Sequence, residues 1–333
     1  MAERFLITGG SGFIGTNLVE HLRTRRPGAV VRNLDRRPPR NRAHQDLWVK
    51  ADLCDLAGLS SAVAEVAPTA VVHLAARTDL RGRAESDYMA NTEGVKNLVE
   101  TLRRVKTVRR VVIASSRLVC PIGYRPTDEN DVAPTTAYGA SKVVGERIVR
   151  DADLPFLWII VRPTSIWGPW FEVPYRDLFT NVRRGTYVHA GRERITKSFG
   201  YVGNSVHQLD RLLECGLTQM HGQTIYLGDY PPLEVREFAE LIRHEFNTRR
   251  IPTVPLPILQ VAAKVGDFLQ YAGWKEPPLT SFRLTNIRTE MVYDLEPLAS
   301  VVGPLPYKLD DGVRQTVAWM RNEEKYTCRH SES

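Results

Sequence analysis

Cysteine is scarce in this chain, with four in 333 residues. Cys54, Cys120, Cys215 and Cys328 stand far apart, without metal-ligand or redox-pair spacing, which excludes a disulfide framework and predicts reduced thiols in a cytoplasmic protein. The eight His residues form no ligand pair either, and no metal site is expected. No apolar run approaches the roughly 18 residues of a membrane span, and no signal-peptide pattern follows Met1. An integral membrane segment is therefore not expected. The most apolar long stretch, Ile251 to Ala272, is interrupted by Lys264, Asp267 and Gln270. It reads as prolines followed by a helix packed on the protein, with peripheral membrane contact as the lesser alternative. Blocks of one charge are missing too. The net charge is +7, but the basic residues, most of them Arg, alternate with Asp and Glu, so nucleic acid is not an expected partner. There are no internal repeats or low-complexity tracts.

What is present is ordinary globular composition, 43% hydrophobic and 25% charged, in a chain long enough for one large α/β core with a smaller lobe. Short β-rich runs at Phe5 to Thr8, Val30 to Asp35, Trp48 to Ala51, Ala70 to Leu74, Arg110 to Ser115 and Leu157 to Val161 alternate with helical patterns. Such alternation predicts βαβ units and a doubly wound parallel sheet that ends near residue 165. Beyond Trp167 the pattern breaks at Gly168-Pro169 and prolines recur in clusters. The expected division is a Rossmann domain over 1–167, a smaller α/β cap over 168–326 with some segments returning to the first part, and a polar tail over 327–333.

The first strand runs into Gly9-Gly10-Ser11-Gly12-Phe13-Ile14-Gly15 and then a helix. A turn this tight needs unusual backbone angles, and a pyrophosphate approaches a backbone closely only where Cβ is missing. Gly9, Gly12 and Gly15 meet those needs, and the helix N-terminus at Phe13 and Ile14 offers N–H groups to phosphate. Asp35, at the end of the second strand, suits the adenosine ribose hydroxyls and would repel a 2′-phosphate, so NAD is expected ahead of NADP. Arg36 and Arg37 follow at once and keep NADP open. In Tyr138-Gly139-Ala140-Ser141-Lys142, positions four apart share a helix face, which brings the Lys142 ammonium toward the Tyr138 hydroxyl. A nearby cation favours the phenolate and makes Tyr a useful base.

These motifs together resemble the extended short-chain dehydrogenase/reductase family, of the nucleotide-sugar epimerase/dehydratase type. The resemblance implies a homodimer, an adenine contact at Asp52 and Leu53, a cofactor-lining segment at Leu74, Ala75 and Ala76 after His73, and a helix carrying Asn91. It also implies Ser115 beside the nicotinamide, Lys142 on its ribose, Pro163 behind the carboxamide, and Ser116, Tyr138 and Lys142 as the catalytic set. Lys197-Ser198-Phe199-Gly200-Tyr201-Val202 is similar to the family stretch whose Arg grips a nucleotide diphosphate, with Lys keeping the charge but not the fork. Thr78, Ser116, Ser165, Lys197 and Arg283 are the expected substrate contacts.

Departures from the family narrow the chemistry. Arg117 and Leu118 stand where the 4,6-dehydratases carry an Asp-Glu pair, and the Glu of the sugar-acid decarboxylases is missing, so both reactions are disfavoured. Val119-Cys120-Pro121 replaces the usual Val-Tyr-Gly, and Ser165 replaces an Asn. Cys120 is weighed as an acid/base, with His189 as its partner, against a small buried side chain, and the latter is favoured. The expected activity is epimerisation of a nucleoside-diphosphate sugar through a keto intermediate. Reduction or oxidation of a keto-sugar or hydroxysteroid-like alcohol is the alternative, and a dinucleotide sensor without turnover is the third.

Overall fold

In the computed structural model, residues 3–274 and 277–331 are described, the side chains of 215–217 and 324–331 excepted. The N-terminal half runs β1 (Arg4–Thr8), α1 (Phe13–Arg25), β2 (Val30–Asp35), β3 (Trp48–Lys50), α2 (Leu56–Val66), β4 (Ala70–His73), α3 (Glu93–Arg104), β5 (Arg110–Ala114), α4 (Ala137–Asp151) and β6 (Leu157–Pro163). The C-terminal half continues with β7 (Ser165–Trp167), α5 (Tyr175–Arg184), β8 (His189–Ala190), β9 (Thr196–Lys197), β10 (Phe199–Tyr201), α6 (Val202–Arg211), α7 (Leu217–Gln219) and β11 (Thr224–Leu227). It ends with β12 (Leu233–Glu234), α8 (Val235–Phe246), β13 (Thr253–Val254), α9 (Leu256–Tyr271), α10 (Ser281–Arg288), α11 (Glu296–Val302) and α12 (Leu309–Ser331).

Seven strands form one parallel sheet in the order β11-β6-β5-β4-β1-β2-β3. Parallel strands covered on both faces need apolar side chains at every position rather than at alternate ones, which is why β1, β4, β5 and β6 read as near-continuous hydrophobic runs. Alternate residues then serve opposite cores. Phe5, Ile7, Val72, Val112 and Ile159 pack with Leu18, Val19 and Leu22 of α1. Leu6, Val71, Val111 and Ile160 pack instead with Leu59 and Val63 of α2 and with Val95, Leu98 and Leu102 of α3.

From the sequence the sheet is expected to close near residue 165, yet β11 returns from beyond the first cap pieces and pairs with β6, Ile225 lying against Val161. Its four residues carry too short an apolar run to be told from a cap strand by pattern alone. Likewise α6 packs back on α1, where Asp210 accepts from His21 at 3.0 Å and from Arg26 at 2.7 Å. The helix expected over Ser86 to Val105 divides into a 3₁₀ turn at Glu85–Asn91 and α3. Of the polar tail expected over 327–333, residues through Ser331 belong to α12, while Glu332 and Ser333 lie outside the described residues.

Cap and sheet meet at Trp167, which is fully buried with its ring centroid 4.8 Å from Phe238, 5.2 Å from Tyr201 and 5.7 Å from Phe179. On the outer side of the cap, α9 turns Leu259, Ala263 and Gly266 inward and leaves Ile258, Val261, Val265 and Phe268 exposed. Among the described residues no helix is long and apolar enough to cross a membrane.

Asp229, just past β11, locks the sheet edge to the cap. Its Oδ2 accepts the Tyr201 N–H at 3.0 Å and the Asn204 amide at 3.1 Å, and burial outweighs these bonds and raises its pKa to about 7. An acid whose folded pKa lies above its unfolded value is most favourable to the fold when protonated, and its contribution is lost as pH rises toward the folded pKa. Asp229→Asn keeps the acceptor and removes the buried charge. It should raise Tm by an increment that grows from pH 4 to pH 7 and then levels off; a gain independent of pH in thermal melts would contradict this.

Candidate active site

The glycine turn is dictated by crowding. Gly9 has φ of +74°, and a Cβ there would fall 2.5 Å from the Ala75 nitrogen, while a Cβ on Gly15 would fall 2.2 Å from the Gly9 carbonyl. Gly12 differs, since a Cβ there would meet only the Gly9 carbonyl, at 3.1 Å. It N-caps α1 in an extended conformation without a side-chain cap, so the first-turn N–H groups of Phe13, Ile14 and Gly15 have no intrahelical acceptor. This open, positively polarised end fits a pyrophosphate.

The rest of the cradle is braced by short polar links. Asp35 accepts the N–H groups of Ser11 at 3.2 Å and Arg37 at 3.0 Å, and Ser11 donates its hydroxyl to the Arg37 carbonyl at 2.9 Å. The end of β2 is thereby fastened to the glycine turn, with Arg36 exposed beside it. Asp52 accepts the Cys54 N–H, and the Asn97 amide donates to the Leu53 carbonyl at 2.9 Å. The Leu74 N–H reaches the Thr8 carbonyl, which sets the Leu74-Ala75-Ala76 segment directly above Gly9. Asn91 brackets the next stretch, accepting from the Arg77 N–H at 2.9 Å and donating to the Arg77 carbonyl and the Ser141 hydroxyl, each at 3.0 Å. Thr78, just beyond, is exposed. Together these residues fit a dinucleotide.

Across the sheet ends, α4 begins at the cap Thr136, whose hydroxyl accepts the Gly139 N–H at 3.0 Å. That start sets Tyr138 in the first turn and Lys142 in the second, both buried. The Lys142 ammonium donates to the Ala114 carbonyl at 2.7 Å. Burial lowers its pKa to about 8, with Glu146 opposing, and burial together with the Lys142 charge keeps His73 neutral, its pKa about 3. Tyr138 is pushed up by burial, while a hydrogen bond from Ser116 and the charge of Arg117 pull the other way. Sequence spacing assigned that helping cation to Lys142. In the structure the Arg117 charge also favours the Tyr138 phenolate, while the Lys142 ammonium is bonded to the Ala114 carbonyl at the strand end.

One arrangement has no counterpart in the motif reading. Glu146, one helical turn after Lys142, is buried and takes a two-pronged bond from Arg162 of β6, Nε to Oε1 at 2.8 Å and Nη2 to Oε2 at 2.7 Å. Arg150 adds a third bond at 2.9 Å. The available signal was a charged residue inside the apolar run of β6 and a Glu four positions after Lys142, on the same helix face.

On the substrate side, Arg117 is buried with Tyr175, Tyr293 and Lys197 around it. The Tyr175 hydroxyl donates to Ser165 at 2.7 Å, and the Lys197 ammonium to the Asn286 carbonyl of α10 at 2.7 Å. Ser116, Ser165 and Lys197 are thus brought to one region, next to Ser115 and Pro163 at the ends of β5 and β6. Arg283 is exposed at the start of α10, the helix whose Asn286 holds Lys197, and its guanidinium donates to the Pro277 carbonyl at 3.0 Å. Cys120 is buried, its thiol donating to the Asp131 carbonyl at 3.4 Å and raised in pKa by that burial. His189 instead pairs β8 with β13 and contacts Glu240 at 3.2 Å, so the pairing of Cys120 with His189 is not formed. Cys120 lies near Tyr226 of β11 and Tyr293.

The model of the NAD dependent epimerase/dehydratase family matches residues 5–219. A 3-beta-hydroxysteroid dehydrogenase from Mycolicibacterium neoaurum is 33% identical over 71% of this chain and 68% of its own. An N-acetyl-alpha-D-glucosaminyl-diphospho-ditrans,octacis-undecaprenol 4-epimerase from Escherichia coli O157:H7 is 25% identical over 96% of each chain. In three dimensions the UDP-glucose 4-epimerase of Thermus thermophilus, solved in complex with NAD, superposes with a TM-score of 0.70 at 23% identity, covering 96% of this chain and 99% of that one. The chain is an enzyme of the NAD dependent epimerase/dehydratase family.

Proposed function

We propose that this enzyme is an NAD-dependent epimerase of a nucleoside-diphosphate sugar that works through a transient keto intermediate. The observation that carries the reading is the convergence of Tyr138, Ser116 and Lys142 at the strand ends beside the glycine cradle. NAD, when bound, supplies the hydride acceptor and later the hydride. Tyr138, acting as the phenolate that burial opposes and that Ser116 and Arg117 favour, takes the proton of a ring hydroxyl and afterwards returns it, and Ser116 steadies the same oxygen. Lys142, anchored on the Ala114 carbonyl, is at hand for the nicotinamide ribose. NAD is preferred to NADP on the strength of Asp35, whose carboxylate is held rigidly at the end of β2 and opposes a 2′-phosphate. The missing acids after Ser116 speak against dehydration.

A second reading, one-way oxidation or reduction of a hydroxysteroid-like alcohol, is favoured by the 33% identical dehydrogenase and by Ser165, which lacks the amide that epimerases of this type present. Cofactor accounting separates the two. An epimerase should purify with NAD that is released on denaturation, and should convert UDP-, GDP- or dTDP-sugars without added cofactor. Stoichiometric consumption of NAD or NADH instead would select the second reading.

Tyr138→Phe should lower kcat by about two to four orders of magnitude, the usual contribution of a positioned acid/base. NAD binding, followed by quenching of tryptophan fluorescence, should stay near wild type. Retained turnover would remove Tyr138 from the mechanism.

A further inference from the structure

Two buried cations face the reacting region without a carboxylate to answer them. Arg117 is 9% exposed, and its Nη1 has no hydrogen-bond partner. Lys197 is 5% exposed and donates only to the Asn286 main chain. Around Arg117 stand the phenols of Tyr175 and Tyr293, hydrogen-bonding neighbours that bring no negative charge to the guanidinium. Among the described residues neither cation has an acid within ion-pair distance. The same molecule shows how it treats a buried guanidinium that is purely structural: Arg162 meets Glu146 with two parallel bonds. A buried charge left without a partner is strongly destabilising, so a pair of unanswered cations calls for an external anion.

Position says where that anion belongs. Arg117 directly follows Ser116 in the 3₁₀ turn after β5, and its field acts on the Tyr138 phenol. It also presses on Lys197, whose pKa falls to about 8 through burial and the Arg117 charge. A planar fork of N–H donors matches the two oxygens of a carboxylate or phosphate.

We propose that Arg117, supported by Lys197, is the receptor for a carboxylate of the substrate, held beside the hydroxyl that reacts at Tyr138. The inference rests on Tyr138 being the proton-transferring residue. It deepens that reading by requiring a substrate that is anionic close to the reacting carbon.

Binding rather than turnover tests it, so that a wrong assignment of the reaction does not obscure the result. Protein saturated with NAD is titrated calorimetrically with UDP-glucuronic acid and UDP-glucose, with 3-oxooctanoate and its methyl ester, and with inorganic pyrophosphate. Arg117→Gln should weaken the anionic probes that reach the site by about ten- to a hundredfold, the span expected for losing bonds to a charged group. Arg117→Lys should recover part of the loss. A loss confined to UDP-glucuronic acid and 3-oxooctanoate identifies a carboxylate at the reacting end. A shared loss for both UDP-sugars and pyrophosphate, with 3-oxooctanoate unchanged, assigns the two cations to a diphosphate and overturns the proposal. Equal affinity of wild type and Arg117→Gln for every anionic probe overturns the proposal, and a fallen melting temperature of the unliganded variant would then mark Arg117 as structural only.

Discussion

The bond between Glu146 and Arg162 is the constraint on which the site depends. It joins the helix that carries Tyr138 and Lys142 to the strand that ends in Pro163, and it does so with two parallel contacts that fix rotation as well as distance. Buried ion pairs add little net stability, because desolvation offsets most of the attraction. What such a pair supplies here is register. With α4 set against β6, the Lys142 side chain reaches the Ala114 carbonyl on the intervening strand β5, and the Tyr138 ring comes to lie 5.9 Å from that of Tyr88. Neither partner of the pair can relax toward water, so the reacting face is held by electrostatics from beneath and by packing from the side.

Above that platform the balance of charge reverses. The carboxylates of the site are either paired, as Glu146 is beside Lys142, or turned to backbone N–H groups, as Asp35 is at the glycine turn. The buried cations Arg117 and Lys197 have only carbonyls and phenols for company, while Lys142 shares its helix face with Glu146. A neutral His73 adds no further charge. The region is therefore poised for negatively charged partners, both the cofactor pyrophosphate at α1 and the substrate.

Much of this was legible in the sequence because it depends on local rules. The glycine triplet is readable since a turn with no room for Cβ admits no other residue, and the parallel sheet is readable from apolar runs alternating with helical periods. Tyr138 and Lys142 were legible as neighbours by helical spacing, but the partner each would choose was not. Lys142 takes a carbonyl from a strand and Tyr138 takes the field of Arg117, contacts made across the chain rather than along it. For the same reason the bond from Arg283 to the Pro277 carbonyl was not legible, the preference for Cys120 as a small buried side chain over an acid/base rested on chemistry and not on position, and Glu146 carried no motif at all. β11 escaped because a run as short as Ile225 to Leu227 announces a strand without saying which sheet it joins.

That returning strand shapes how the two parts of the enzyme can behave. The chain leaves the sheet at β6, builds the first pieces of the cap, and comes back to lie along β6 as the sheet's outermost member before departing again. A cap attached in this way is an arch with both feet on the platform, not a door on a single hinge. Cutting after Trp167 would strip β6 of its neighbour and expose a row of unpaired backbone groups, an invitation to edge-to-edge aggregation. The parallel sheet is therefore not continuous in the chain, and the pieces of the cap between β6 and β11 are tied to it at both ends.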